Sequence, residues 1–348
     1  MAKSYLQKFL LFTIGFFCAL VSVAQDVQFS QFYAAPLYLN PAMTGASELT
    51  RVGVNYRNQW PGLDHSFNSY SAYIDHYVYD YNSGIGLIFN GNKESLAQLS
   101  TNEVGLLYSY RLRVGTDKFL RVGGQVSYIA RDAYFGNLVF GSMIDISTGG
   151  TNSLTDELQN VPIDSRHRFM DYSFGTLFTT NKIWLGASAH HVTEPNVSFV
   201  EDATSRLPLK FSAQGGIRFD LGYGGINNTF TNVYQERSIS FAFNYKQQAP
   251  FNQLDIGTQL YLEPLVLGIW YRGLPSKYNM PNNESLIALL GVALESGMDI
   301  GYSFDFTTSK LGLRNSGGAH EISIRYTFLW GDERSRNQRS RVNPCFFY

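Results

Sequence analysis

The sequence has few of the features that mark soluble domains or helical membrane proteins. It holds two cysteines, Cys18 and Cys345, in 348 residues. Cys18 falls in the leader described below, so the exported chain would keep one thiol. That excludes an internal disulfide framework and any zinc site built on a cysteine pair. Charged residues make up only 16%, against about 25% in ordinary soluble domains, which is too few for a fully water-facing surface. The 27 basic and 28 acidic groups nearly cancel, so no basic field recommends a nucleic-acid partner. After the leader, no apolar run approaches the ~18 to 20 residues of a spanning helix. Residence in a membrane would therefore have to use strands.

What is abundant is aromatic and small. Phe 26, Tyr 23 and Trp 4 bring aromatics to 15%, beside 32 glycines. The amino terminus places Lys3 and Lys8 around the start of an apolar stretch from Phe9 to Val21, with Ser22 and Ala24 before Gln25. This is the pattern of a secretory signal peptide, cleaved after Ala24. Cys18 follows Gly15-Phe16-Phe17 and so lacks the surroundings of a lipidated cysteine.

Period-two alternation dominates the rest. In Arg237–Lys246, Ile239, Phe241, Phe243 and Tyr245 share one face, while Ser238, Ser240, Ala242, Asn244 and Lys246 share the other. The pattern returns at 209–219, 298–306 and 319–329, and extends to about 14 candidate strands. The others span 50–58, 67–76, 83–91, 102–112, 119–131, 168–179, 182–192, 252–262, 264–272 and 285–294. Most approach the ~9 to 11 residues that carry a tilted strand across a bilayer.

Connection lengths give an independent test. A membrane barrel with its amino terminus on the periplasmic side should alternate long outer loops with tight inner turns. Long connections at 132–167, 193–208, 273–284 and 307–318 fit, as do short ones at 114–118, 180–181, 263 and 295–297. Residues 220–236 and 247–251 break the rule in opposite senses. Glycines at 53, 86, 105, 123, 186, 257, 268 and 301 fall on the polar faces, where a closed sheet is crowded. The expected fold is all-β: a transmembrane antiparallel β-barrel of about 14 strands behind a cleaved signal peptide. A soluble two-sheet protein is the alternative.

The expected organisation is a signal peptide at 1–24, an amino-terminal periplasmic or plug segment at 25–49, the barrel at 50–330 and a periplasmic tail at 331–348. Residues 25–49 are irregular yet rich in apolar and aromatic groups, unlike an exposed linker, so they should pack in the lumen or its mouth. The tail is rich in arginine, and reads as a solvated end or a docking segment.

Catalytic chemistry finds little purchase. His65, His76, His167, His190, His191 and His320 form no zinc spacing. His190 and His191 lie near Glu194, but neighbours on a strand point to opposite faces. The nearest approach to a nucleophile turn, Asp171-Tyr-Ser-Phe-Gly175, lacks the first glycine and sits within a strand. No phosphate-binding or dinucleotide glycine motif occurs. No cofactor or metal is expected. The polar faces carry both Arg51, Arg57, Arg121 and Arg272 and Asp75, Asp255, Asp305 and Glu321. An ion-selective pore would favour one sign; mixed signs fit a braced interior or a surface that receives a protein segment.

Several strings together resemble one family. Asp26-Val-Gln-Phe-Ser-Gln31, Asn40-Pro-Ala-Met-Thr-Gly45 and Tyr56-Arg-Asn-Gln-Trp60 are followed in order by Asp255-Ile-Gly257, Gly268-Ile-Trp-Tyr-Arg272, Gly301-Tyr-Ser-Phe-Asp305 and His320-Glu-Ile-Ser-Ile-Arg-Tyr326. This series resembles the PorP/SprF proteins of Bacteroidetes over nearly the whole mature chain. The carboxy terminus departs from the family habit of a cysteine-proline pair, with Pro344 before Cys345.

The resemblance implies an outer-membrane barrel of the type IX secretion system. Its implied work is non-catalytic: helping to secrete or anchor particular surface proteins such as gliding adhesins by binding their C-terminal domain. Implied partners are that domain, periplasmic and outer-membrane secretion components and the lipid bilayer, with no nucleic acid. The motif positions are Phe29, Ser30, Gln31, Asn40, Pro41, Ala42, Gly45, Arg57, Asn58, Gln59, Trp60, Arg272, Gly301, Tyr302, Ser303, Asp305, His320 and Glu321. The competing expectations are an outer-membrane transporter for small, apolar solutes and a barrel lipid hydrolase with dispersed Ser and His.

Overall fold

The computed structural model describes residues 26–63, 66–95, 98–134, 164–199, 204–223, 236–273, 285–308 and 312–330. The leader and the arginine-rich tail with Cys345 lie outside these residues, as does most of the connection expected at 132–167. The strands are β1 (Thr50–Gln59), β2 (Phe67–Val78), β3 (Ser83–Glu94), β4 (Ser100–Gly115), β5 (Lys118–Tyr134), β6 (Asp164–Thr179) and β7 (Ile183–His190). They continue with β8 (Lys210–Tyr223), β9 (Glu236–Gln248), β10 (Phe251–Leu262), β11 (Leu265–Arg272), β12 (Ser285–Ala293), β13 (Met298–Thr307) and β14 (Ala319–Phe328). Each pairs antiparallel with its sequence neighbours, and β1 pairs with β14, so the sheet closes into a barrel with no free edge.

The strand expectations hold because alternation records two solvents. On β1, Arg51, Gly53, Asn55 and Arg57 are buried while Val54 and Tyr56 are exposed. On β4, Leu106 is 68% exposed and Ser109 is fully buried. This inversion of soluble-protein order, with greasy side chains outside and polar ones inside, suits a wall against lipid. The soluble two-sheet alternative is thereby set aside. Arg51 sits opposite Asp75 in the β1–β2 register, and Asp255 opposite Arg272 in β10–β11, so the mixed lumen charge is assembled from cross-strand pairs.

Long connections follow β5, β7, β11 and β13, whereas Tyr79–Asn82, 116–117, 180–182 and 294–297 turn tightly at the opposite end. The two exceptions stand: the chain from β8 to β9 is long, and only Ala249 and Pro250 join β9 to β10.

Residues 26–49 run along the inner faces of the strands. They contain one helical turn, Pro36–Leu39, and a 3-10 turn, Pro41–Met43, each opened by a proline whose missing N–H costs nothing there. Phe32, Leu39, Ala42 and Met43 join the inward Leu177, Trp184, Trp270 and Ile287 in one apolar cluster. A second forms from Leu37 with Tyr73, Ile88 and Leu107.

Candidate functional site

Two arrangements inside the barrel involve many polar groups: a clamp on the amino-terminal segment and a cavity beside it. The clamp begins at Ser30 and Gln31, whose backbone N–H groups donate to the two Glu321 carboxylate oxygens at 2.6 and 3.0 Å. Ser30 Oγ donates to Asp305 Oδ2 at 2.7 Å and also contacts the Arg57 guanidinium. Arg57 reaches Asp305 at 2.7 Å and Glu321 at 3.4 Å, and Arg272 reaches Asp305 at 3.1 Å and Asp255 at 2.9 Å. Arg272 also donates to the Phe29 carbonyl at 3.3 Å. Gln31 is read by its whole amide: Nε2 donates to Ser303 Oγ and the Glu321 carbonyl, and Oε1 accepts from Ser323. Gly301 leaves room for it, since a Cβ there would lie 2.5 Å from Gln31 Oε1. Charges this deeply buried persist only when paired and hydrogen-bonded together.

Farther along, Asn40 Nδ2 donates to the carbonyls of Thr176 (3.0 Å) and Ala187 (3.2 Å), while its Oδ1 caps Ala42 N–H at 2.9 Å. The wall gives way to it. A Cβ on Gly175 would meet Asn40 Oδ1 at 1.9 Å, and one on Gly123 would meet Ala42 backbone at 2.5 Å. Gly45 turns the chain at φ +64, donates to Asp75 Oδ2 at 2.7 Å, and lies so close to Gly84 that no side chain fits. Arg51 holds the same Asp75 through two nitrogens, at 2.9 and 2.8 Å. Glu48 then pairs with Arg111 and, at 3.4 Å, with Arg121.

At its other end the segment is latched by Asp26, which accepts from Lys210 Nζ at 2.6 Å and lies 2.7 Å from His191 Nε2. His191 Nδ1 contacts Asp171 at 3.0 Å. Burial opposes the charge on both groups. For His191 the neighbouring carboxylates outweigh it and raise the imidazole to about 9; for Asp26 the adjacent His191 and Lys210 charges outweigh it and hold the carboxyl well below the usual range. Alternation would turn His190 and His191 to opposite faces, but β7 ends at His190 and His191 takes φ 59. Both rings are buried, with centroids 6.4 Å apart. No residue type in the sequence announces that left-handed turn.

The cavity, about 580 Å³, lies over this latch at the end bearing the long connections. Its wall mixes aromatic groups such as Tyr38, Phe67 and Phe251 with amides and both signs of charge.

A sequence profile described as type IX secretion system membrane protein PorP/SprF matches residues 21–326. The chain belongs to the PorP/SprF family. This makes it an outer-membrane protein and a type IX secretion component, in a family of secretion-system membrane proteins that is not an enzyme family. No curated protein sequence matches it. Among solved structures it is similar to the CymD monoaromatic hydrocarbon channel (TM-score 0.50, 13% identity, 89% of this chain and 95% of that one). A FadL homologue of Pseudomonas aeruginosa (0.44, 12%, 85% and 94%) and the KdgM porin (0.35, 7%, 80% and 99%) also match. At these identities the likeness to CymD shows the barrel fold alone.

The PorP/SprF motif positions divide in space. Phe29, Ser30, Gln31, Arg57, Arg272, Gly301, Ser303, Asp305 and Glu321 converge on the clamp. Asn40, Pro41, Ala42 and Gly45 meet the wall deeper in the lumen. Gln59 and Trp60 line the cavity, Trp60 packing on Phe67 with centroids 5.6 Å apart. Asn58, Tyr302 and His320 lie on the outward faces, where Tyr302 and His320 share a 2.8 Å hydrogen bond. The apolar inward residues Leu177, Trp184 and Ile287 escaped sequence reasoning as partners of the segment. Trp184 carried a signal, as a greasy side chain on a face otherwise made of Gly186, Ser188 and His190; Leu177 shares its inward face with Phe169, and Ile287 shares its own with Leu289 and Ala293, so neither stood out.

Proposed function

We propose that residues 26–49 act as a plug and that the barrel holds the C-terminal domain of a secreted surface protein, such as an adhesin, in the cavity at the long-connection end. The observation that carries this reading is the clamp. Contacts reach the segment from β1, β2, β5, β6, β8, β11, β13 and β14. A lumen filled this way suits a receptacle better than a conduit, and the mixed charge suits a polypeptide better than a simple ion. Contact with periplasmic secretion components belongs to the same proposal, through the tight-turn end and the tail.

The test is a photo-crosslinking side chain at Phe67 or Phe251 in living cells. Capture of one surface protein through its C-terminal domain supports the reading, together with loss of that protein from the surface when the gene is deleted while bulk secretion persists. Normal display of every surface protein in the deletion strain counts against it. A second reading, transport of small apolar solutes, draws on the aromatic cavity wall and on the barrel's likeness to the CymD monoaromatic hydrocarbon channel. Solute uptake into liposomes carrying the purified barrel separates the two.

A further inference from the structure

One cation of the cavity wall stands apart from the others. Of its cations, Lys210 and His191 are taken by Asp26, and Arg57 and Arg272 by the carboxylates of the clamp. Among the described residues His190 has only the Leu39 carbonyl within hydrogen-bond reach, at 3.4 Å, and it stands beside Lys210. Arg131 is different. It lines the same cavity from β5, forms no ion pair among the described residues, and has a buried Nε with no hydrogen-bond acceptor. Its guanidinium carbon lies 5.5 Å from the centroid of Phe199, which reaches over it from the connection after β7. An aromatic ring on the guanidinium face leaves its in-plane N–H donors for an acceptor, and a carboxylate is the acceptor whose two oxygens match that fork.

Two cavity carboxylates also form no ion pair at bonding distance among the described residues, although Glu94 is close enough to Arg131, and Glu103 to Lys210, to act on their charges. Glu103 accepts from Asn90, Gln125 and Ser127 at 2.8, 2.8 and 2.6 Å, and Glu94 lies along the same wall. A hydrocarbon would cover the Arg131 and Glu94 charges without supplying a hydrogen-bond partner to either, which is costly. A polypeptide end answers them with one carboxylate and several backbone N–H donors.

We infer that Arg131, capped by Phe199, is the receiving group for a carboxylate at the end of a polypeptide segment entering from the long-connection end. This rests on the receptacle reading and specifies its ligand. The test is calorimetric titration of the full-length barrel in detergent with three probes: N-acetyl-Gly-Phe-Gly-Val bearing a free carboxylate, its carboxamide, and phenylacetate. The acid peptide is expected to bind at least tenfold more tightly than the amide. Arg131→Gln abolishes that difference and Arg131→Lys restores part of it, with both variants keeping the heat-modifiable gel migration of a folded barrel. Phenylacetate binding as tightly as the peptide acid overturns the polypeptide assignment. Equal binding of acid and amide, or an unchanged difference in Arg131→Gln, overturns the site itself. If the titration fails while cells still display the surface protein and crosslink it at Phe67, the inference falls and the receptacle reading stands.

Discussion

Replacing Arg57 with leucine tests the clamp most sharply. Arg57 touches Ser30, Asp305 and Glu321 together, and its side chain is 4% exposed. Breaking a buried ion pair by removing one partner costs about 3–5 kcal/mol, mostly from the charge left behind. Here Asp305 keeps Arg272 at 3.1 Å, and Glu321 keeps the Ser30 and Gln31 N–H donors, so the lower figure, about 3 kcal/mol, applies. At ~1.4 kcal/mol per factor of ten, this is a ~100-fold shift toward the released state for residues 26–31. The shift stays local. Phe32, Leu39 and Met43 remain in their apolar cluster, and each contributes about 1.5–3 kcal/mol of burial. Hydrogen-exchange mass spectrometry should therefore show ~100-fold faster exchange of the Ser30 and Gln31 amides, little change near Met43, and normal heat-modifiable migration. Unaltered protection of Ser30 and Gln31 in a folded R57L barrel would refute the clamp.

Other expectations follow from neighbouring contacts. The Asp26 latch should have a pH window. The raised His191 contributes stability that is complete below its ordinary value of 6.5 and disappears as pH rises through about 9, while the depressed Asp26 contributes fully above 3.8 and fails only in stronger acid. Protection of residues near Asp26, corrected for intrinsic exchange, should be flat from about pH 4 to 6.5 and decline toward 9, and His191→Gln should remove the alkaline decline. Asn40→Ala loses a cap and two wall contacts; at about 1–2 kcal/mol for the cap alone, exchange at Ala42 should quicken at least ~5- to 30-fold. Gly123→Leu places a side chain where Ala42 and Pro41 backbone now lie, so the barrel should form with the segment displaced, seen as proteolysis within residues 26–49. Leu106→Arg puts a charge on the outward face of mid-β4 and should lower barrel stability by about 2–4 kcal/mol in a refolding titration.

The strands were legible because a lipid-facing wall enforces strict chemistry on both sides. Ile239, Phe241 and Phe243 had to alternate with Ser238, Ser240 and Ala242, and one residue of slippage would reverse every position. Connection lengths were legible for the same reason, apart from the turn at Ala249–Pro250 and the long passage from β8 to β9. Residues 26–49 showed only that they must be buried. An irregular segment has no period, so nothing local tells Gln31 that Ser303, Glu321 and Ser323 await it more than 270 positions away. The motif strings flagged the clamp residues without revealing that they meet. The Arg51–Asp75 and Glu48–Arg111 pairs were visible only as scattered charges, and His191 was misassigned because a left-handed residue at a strand end needs no glycine.

The proposed closure of the lumen by the amino-terminal segment is measured directly by single-channel recording in planar bilayers. Purified full-length barrel should insert without conductance steps, and the same barrel lacking residues 26–49 should give large, stable ones. Steady conductance from the intact protein, equal to that of the deletion variant, would contradict the account.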